Sequence, residues 1–113
     1  MEQNDTSPLA VVNQRMTLYN QHRLDDFLSL YSPEIKVYTY PDTLLGQGLD
    51  HMRNLFEAMF EEGMVEVEVK HQIVSDSYVI NEEVVTYDEN ETRYVSIYEV
   101  RDGMIQSVRF VRD

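Results

Sequence analysis

A histidine and a glutamate on neighbouring predicted strands are the first candidates for chemistry. Residues 65–73 alternate between apolar and polar, which predicts a half-buried strand with His71 on its apolar face. If residues 76 and 77 form the following turn, His71 lies opposite Glu82, which could fix the imidazole tautomer and make His71 a general base. A three-residue turn would instead set His71 against Asn81, and a structural histidine in the core or in a dimer interface is the alternative.

Further groups near the predicted strand ends could hold or move a proton beside a carbonyl. Asp42, just after the strand-ending proline, could reach the mouth of a pocket as a second base, and the hydroxyls of Tyr19 and Tyr40 could stabilise an oxyanion. In the last predicted hairpin, a turn at residues 102–103 places Glu99 on an apolar face, where it would line the same mouth. Ordinary packing of the tyrosines and solvation of the carboxylates are the alternatives.

The same alternation assigns other polar residues to the opposite faces of these hairpins. Glu83 falls across from Lys70, where an exposed ion pair is expected. Ser96, Tyr98 and Arg109 fall in a mixed aromatic and polar patch on the outer face of the last hairpin. On this prediction, neither Glu83 nor Tyr98 belongs to the candidate site.

Three helices and a set of strands must position these side chains. Ser7 followed by Pro8 is typical of a helix start, and an apolar stripe continues to about Asn20. A later segment repeats apolar residues with helical spacing and stops at Gly63. The predicted elements are helices at 8–20, 24–31 and 52–62, an edge strand at 35–40, a loop at 42–48, and strands at 65–73, 78–86, 93–101 and 104–112.

The order of these elements predicts an α+β fold, because the helices precede a long antiparallel meander. Met16 and Met59 on the helical stripes are ordinarily core packing residues, and the functional alternative is a malleable apolar cavity that receives a small apolar ligand. Besides Tyr19 and Glu99, the residues predicted to contact that ligand are Met16, Leu55, Phe56, Met59 and Phe110.

Length and composition limit the remaining possibilities. The 113 residues, 42% of them hydrophobic, fit a disordered tail at 1–6 and one domain at 7–113. A net charge of −12 opposes binding to nucleic acids and anionic membranes. The sequence has no cysteine, no metal or cofactor motif and no apolar run long enough to span a membrane. We therefore expect a soluble, cytoplasmic protein without metal or cofactor.

Three stretches of the sequence resemble a known superfamily. They are YNQHRLDDFLSLYSPEI at 19–35, YPDTLLGQGLDHMRNLFEAMF at 40–60 and SIYEVRDGMIQSVRF at 96–110. Together they resemble the SnoaL-like and ketosteroid-isomerase-like branch of the nuclear transport factor two-like superfamily, whose fold is cystatin-like. The resemblance implies a cone in which a curved, mostly antiparallel sheet wraps three N-terminal helices around an apolar pocket, often in a homodimer packed through the sheet.

The resemblance also implies a range of activities, from cofactor-free isomerases, cyclases and dehydratases to members without catalysis. In the ketosteroid isomerase pattern a general-base Asp precedes the proline that closes the first strand, and Tyr40 occupies that place here. The oxyanion-binding Tyr of the pattern falls near Arg15 or Met16. The leading hypothesis is proton transfer on an apolar ligand that bears a carbonyl or hydroxyl group, and the alternative is a non-catalytic binding or dimerisation module.

Overall fold

A computed structural model of the protein describes residues 7–111. The helices are α1 (Pro8–Asn20), α2 (Leu24–Leu28) and α3 (Leu49–Glu62). The strands are β1 (Tyr31–Thr39), β2 (Thr43–Gln47), β3 (Val65–Ser75), β4 (Tyr78–Tyr87), β5 (Asn90–Arg101) and β6 (Met104–Val111). The predicted tail at residues 1–6 lies outside the described residues.

Local sequence signals determine the ends of the two long helices. The Ser7 hydroxyl caps α1 by accepting a hydrogen bond from the N–H of Ala10, and Pro8 occupies the first turn. Gly63 ends α3 in the left-handed region (φ 69°), where its N–H donates to the Met59 carbonyl. The predictions of α1 and α3 are confirmed.

The six strands form one sheet in the order β2-β1-β6-β5-β4-β3. Neighbouring strands are antiparallel except β1 and β6, which run parallel. The helices lie against one face of the sheet, here called the inner face, and the opposite face is called the outer face. This arrangement confirms the predicted α+β class, with three helices on a curved, mostly antiparallel sheet.

Aromatic side chains join the helices at the centre of the core. The Phe27 ring centroid lies 5.0 Å from that of Phe56 and 5.1 Å from that of Phe60, and Tyr19 meets Phe60 at 5.3 Å. These edge-to-face contacts add specific geometry to the burial of apolar area. They hold α1 and α3 at a defined distance on the inner face of the sheet.

The predicted end of the second helix is wrong. Tyr31, assigned to its apolar stripe, is the first residue of β1, because α2 already ends at Leu28. The rings of Phe27 and Tyr31 do lie 5.3 Å apart, but they meet across a turn rather than along a helix. The four-residue spacing of Phe27 and Tyr31 is typical of a helix, although the chain leaves the helix between them.

The predicted loop at residues 42–48 is also wrong. Residues 43–47 form β2, which takes the edge position expected for the preceding strand. Pairing with β1 supplies hydrogen bonds for this short strand, although its side chains Leu44 and Leu45 are about half exposed. Without an alternating pattern, the sequence carried no signal for it.

Candidate functional site

A cavity of about 370 Å³ lies between α3 and the inner face of the sheet. This volume falls within the range of small-molecule sites, roughly 300–1,000 Å³. Its exposed rim includes Leu45, Leu55 and Tyr87. Within the described chain, the charged residues of the lining are Arg15 and Glu83. The full lining is Arg15, Tyr19, Thr39, Leu45, Leu55, Phe56, Met59, Val67, Glu83, Val85, Tyr87, Thr92, Tyr94 and Phe110.

Arg15 carries a buried positive charge from α1 to the cavity wall. The residue is 3% exposed, and its guanidinium lies 5.1–5.2 Å from the ring centroids of Tyr19, Phe27 and Tyr98. Its Nε donates to the Tyr31 hydroxyl at 2.8 Å, and its Nη1 lies 3.5 Å from a methionine sulfur. Its other N–H groups have no acceptor among residues 7–111, so they are free to bind a group placed in the cavity.

Glu83 carries a buried negative charge from β4 to the same cavity. The residue is 2% exposed. Its Oε1 accepts from the Ser96 hydroxyl at 3.1 Å, and its Oε2 accepts from the Tyr98 hydroxyl at 2.6 Å and from Nδ2 of Asn81 at 3.2 Å. These neutral donors compensate for the loss of water around the carboxylate. No direct ion pair joins Glu83 to Arg15 within the described residues.

The surroundings keep Arg15 charged and the neighbouring tyrosines protonated at neutral pH. Burial acts to lower the pKa of Arg15, but the oxygens of Tyr31, Tyr98 and Glu83 outweigh it, and the pKa lies above its ordinary value. Burial raises the pKa of Tyr19 to about 12, although the Arg15 charge opposes the change. Burial likewise raises the pKa of Tyr31, and raises the pKa of Tyr98 well above its ordinary value. The three hydroxyls therefore keep their protons; that of Tyr31 accepts from Arg15, and that of Tyr98 donates to Glu83.

A one-residue bulge in β3 explains why Glu83 faces the cavity. Val69 pairs with Glu83 and His71 pairs with Glu82, so Lys70 is the extra residue and the alternation of β3 reverses there. The predicted exposed pair of Glu83 and Lys70 is therefore wrong. Lys70 instead pairs with a glutamate of its own strand at 3.1 Å.

His71 and Glu82 meet, but on the outer face of the sheet. The register predicted from a two-residue turn is confirmed, and Nδ1 of His71 lies 2.6 Å from Oε1 of Glu82. The His71 side chain is 82% exposed, and Arg93 contacts the same carboxylate at 3.0 Å. The His71 hydrogen bond, followed by that of Arg93, lowers the pKa of Glu82. The placement of His71 on the apolar face was wrong, because the bulge turns it outward.

A second bulge exchanges the faces of β5 in the last hairpin, while Arg109 and Phe110 of β6 keep the faces predicted for them. The register shifts after Glu99. Glu99 consequently lies opposite Ser107, whereas the predicted turn would pair it with Gln106. Ser96 and Tyr98, expected on the outer face, point inward and donate to Glu83. Glu99, expected at the mouth of the pocket, faces outward and accepts from the Ser107 hydroxyl at 3.1 Å.

The other predicted site residues divide between the cavity and its surroundings. Met16 is buried in the core beside Arg15. Tyr40 is 55% exposed, and Asp42 contacts Arg109 at 3.4 Å on the outer face, because both lie in the turn beyond the end of β1. The predicted ligand contacts that do line the cavity are Tyr19, Leu55, Phe56, Met59 and Phe110.

Sequence reasoning missed both charged residues of the cavity. Arg15 lies four residues before Tyr19 on α1, and this spacing, which places both on one helix face, could have identified it. Glu83 offers no comparable signal, because a bulge decides its face.

Between residues 7 and 111, no three side chains are grouped to hold a metal ion. In the same range, no helix is long and apolar enough to cross a membrane.

The fold is that of nuclear transport factor two-like, cystatin-fold proteins. An uncharacterized cystatin-fold protein from Novosphingobium aromaticivorans superimposes with a TM-score of 0.84 at 20% identity, covering 94% of this chain and 98% of that one. A computationally designed 17-OHP binder has a TM-score of 0.81 at 16% identity, with 95% and 94% covered. A ketosteroid isomerase homologue from Kribbella flavida has a TM-score of 0.74 at 13% identity, with 90% and 74% covered.

The sequence profile of the SnoaL-like domain matches residues 12–108. The chain therefore belongs to the SnoaL-like family, and the resemblance noted in its three stretches is confirmed. No curated protein gives a sequence match. Because one fold hosts many activities, function has to be argued from the cavity itself.

Proposed function

We propose that the protein binds an uncharged, ring-sized small molecule in the cavity, with a carbonyl oxygen of the ligand directed at Arg15. The observation that carries this proposal is a buried guanidinium with free N–H groups in the wall of an otherwise mostly apolar cavity of about 370 Å³. Aromatic and aliphatic walls favour an apolar ligand body. Guanidinium N–H groups that make no hydrogen bond with the described residues favour a ligand oxygen that accepts from them.

Charge balance favours a neutral ligand over a carboxylic acid. Arg15 and Glu83 offset each other in the cavity wall, so a bound carboxylate would add a buried negative charge without a counterion. A ketone oxygen accepts from the guanidinium and adds no charge. A hydroxyl elsewhere on the ligand could also donate to Glu83.

Three aromatic probes of similar size test this proposal. We expect 2-tetralone, a ketone, to bind more tightly than naphthalene or 2-naphthoate in titrations followed by NMR. Arg15→Met should weaken ketone binding roughly tenfold, by loss of a charge-assisted hydrogen bond, and leave naphthalene binding unchanged. Arg53→Met, which removes an exposed guanidinium from α3, is the matched control. Equal affinity for all three probes would contradict the proposal.

A second candidate function is cofactor-free proton transfer in the same cavity. Glu83 is a carboxylate in the lining, and Arg15 supplies a positive charge beside it. When a base removes a proton from the carbon next to a carbonyl, negative charge develops on the carbonyl oxygen, where a buried cation stabilises it. In this mechanism Glu83 accepts the proton and Arg15 stabilises the oxyanion, roles expected from sequence for His71 or Asp42 and for a tyrosine.

Deuterium exchange separates this candidate from simple binding. With 2-tetralone in D₂O, catalysis predicts loss of the proton signals next to the carbonyl faster than in buffer. Glu83→Gln should slow the enzyme-dependent exchange about 100-fold or more, whereas Glu82→Gln on the outer face should leave it unchanged. Binding without exchange would favour the non-catalytic module.

We also propose that two copies of the chain associate through the outer face of the sheet. Ile73, Ile80 and Ile97 pair laterally across β3, β4 and β5, and Ile73 is 62% exposed. Such an apolar row suits a two-fold interface between identical surfaces. Native mass spectrometry should show a dimer that Ile80→Lys converts to a monomer, while Leu9→Lys on α1 does not. A monomeric wild type would contradict this proposal.

A further inference from the structure

We propose that a polar depression on the outer face of the sheet binds a compact oxyanion, the phosphate or carboxylate group of a small molecule. This outer depression has a volume of about 270 Å³ and lies where β1, β5 and β6 meet. Lys36, Arg101 and Arg109 line it, three of the nine basic residues of a chain whose net charge is −12. It lies on the opposite side of the sheet from the cavity, so it does not depend on the ligand proposed there, but it adjoins the proposed dimer contact, because Ile97 pairs with Arg109.

Arg109 is held in position within the outer depression. Its guanidinium lies 4.3 Å from the centroid of the Tyr38 ring, and its Nε donates to the Pro41 carbonyl at 3.1 Å. Its Nη1 donates to the Ser107 hydroxyl at 3.3 Å and its Nη2 to Asp42 at 3.4 Å. The side chain is 26% exposed. A guanidinium fixed in this way loses little conformational entropy when it binds an oxyanion.

Lys36 and Arg101 supply N–H groups that the protein does not use. Lys36 lies opposite Ser107 in the pairing of β1 with β6, and its ammonium group forms no hydrogen bond or ion pair with the described residues. Arg101 contacts Glu99 through one Nη2 at 3.1 Å, which leaves its remaining N–H groups available. Converging charged donors of this kind form short, strong hydrogen bonds to phosphate and carboxylate oxygens.

Two of the three carboxylates at the outer depression are already engaged by its guanidinium groups. Glu34 and Glu99 line it, and Asp42 pairs with Arg109, so the carboxylates equal the basic side chains in number. Glu99 is engaged by Arg101 and by the hydroxyl of Ser107. An incoming oxyanion therefore meets Lys36 and the unused N–H groups of Arg101 and Arg109, and Glu34 is the remaining opposing charge.

Titration of the full chain tests the inference, with inorganic phosphate in one series and succinate in another. Sodium chloride keeps the ionic strength constant, because exposed charges are screened by salt. We expect saturable shifts of the Nε–H resonances of Arg101 and Arg109. Lys36→Gln should weaken the apparent affinity roughly fivefold. This variant should keep the fold of the wild type, because the Lys36 side chain is exposed and has no partner among the described residues. Lys70→Gln, an exposed change on β3, is the matched control and should leave the affinity unchanged.

Each outcome of the titration decides the inference. Saturation by phosphate alone identifies a phosphoryl group, saturation by succinate alone a carboxylate, and saturation by both a general oxyanion site, and all three support it. Shifts without saturation, or equal affinity in wild type and Lys36→Gln, overturn it. Shifts that follow protein concentration instead of anion concentration also overturn it, because a second copy would then occupy the outer depression.

Discussion

Two oppositely charged residues lie in the interior of this protein without pairing with each other. Arg15 and Glu83 are 3% and 2% exposed. Each is instead solvated by neutral groups, of which Tyr31 accepts from Arg15 while Tyr98 donates to Glu83. Buried charges persist only with such compensation. Because both line the cavity, the residues that stabilise the charges also determine what the cavity can bind.

Removing the Tyr98 hydroxyl should destabilise the protein. The hydroxyl donates to Glu83 at 2.6 Å, and Tyr98 is fully buried. Tyr98→Phe leaves the carboxylate with one donor fewer, so we expect the free energy of unfolding to fall by about 2 kcal/mol in urea titrations. Tyr78→Phe, at an exposed position, should change it little. Equal effects of the two substitutions would show that the buried hydrogen bond contributes nothing.

Glu82 should add stability that is lost in acid. The His71 hydrogen bond, followed by that of Arg93, holds the pKa of Glu82 below its ordinary value of 4.5, so the folded state binds this proton less readily than the unfolded state. The contribution is fully present above pH 4.5 and disappears as the pH falls through the lowered pKa of the folded state. The Tm difference between wild type and Glu82→Gln should follow this course. A Tm difference between these two proteins that does not change with pH would contradict this prediction.

Bulges inside β3 and β6 determine which strand side chains face the cavity. The bulge in β3 and the shift between β5 and β6 each reverse which side chains face the helices. Through these two changes, Glu83 and its donors Ser96 and Tyr98 come together on the inner face. The register of each strand, and not its mean polarity, therefore determines which polar side chains face the cavity.

The contact between β2 and α3 should tolerate no side chain at Gly46. A Cβ atom added there would overlap the imidazole of His51 on α3. We expect Gly46→Ala to lower the free energy of unfolding by about 1–3 kcal/mol through overpacking. His51→Ala should relieve most of this cost, and a double-mutant cycle from denaturant titrations measures the coupling. Additive effects of the two substitutions would contradict this packing.

The acidic composition should make the stability of the whole molecule depend on salt. A net charge of −12 on a chain of 113 residues produces self-repulsion that favours expanded states. Raising the ionic strength from about 0.01 M to about 0.15 M shortens the screening length from roughly 30 Å to roughly 8 Å. We expect Tm to rise over this range, and to rise less in the double variant Glu66→Gln, Glu68→Gln. A Tm that falls with added salt would contradict the expectation.

The sequence by itself determined the class of fold and most of its elements. Helix caps at Ser7 and Gly63, apolar periodicity in α1 and α3, and turns at residues 76–77 and 102–103 are local signals, and short-range contacts suffice to produce them. The charge, the absence of cysteine and the family resemblance were equally available from the sequence alone.

Only the tertiary structure decided which polar residues face the cavity. One extra residue in a strand moves every later side chain to the other face, and no periodicity in the sequence marks where that residue is placed. The register of His71 with Glu82 could therefore be predicted, while the face of the pair could not. Arg15 and Glu83 are distant in sequence, and both line the cavity because α1 packs on β4. This contact joins segments far apart in the chain, so local sequence signals do not predict it.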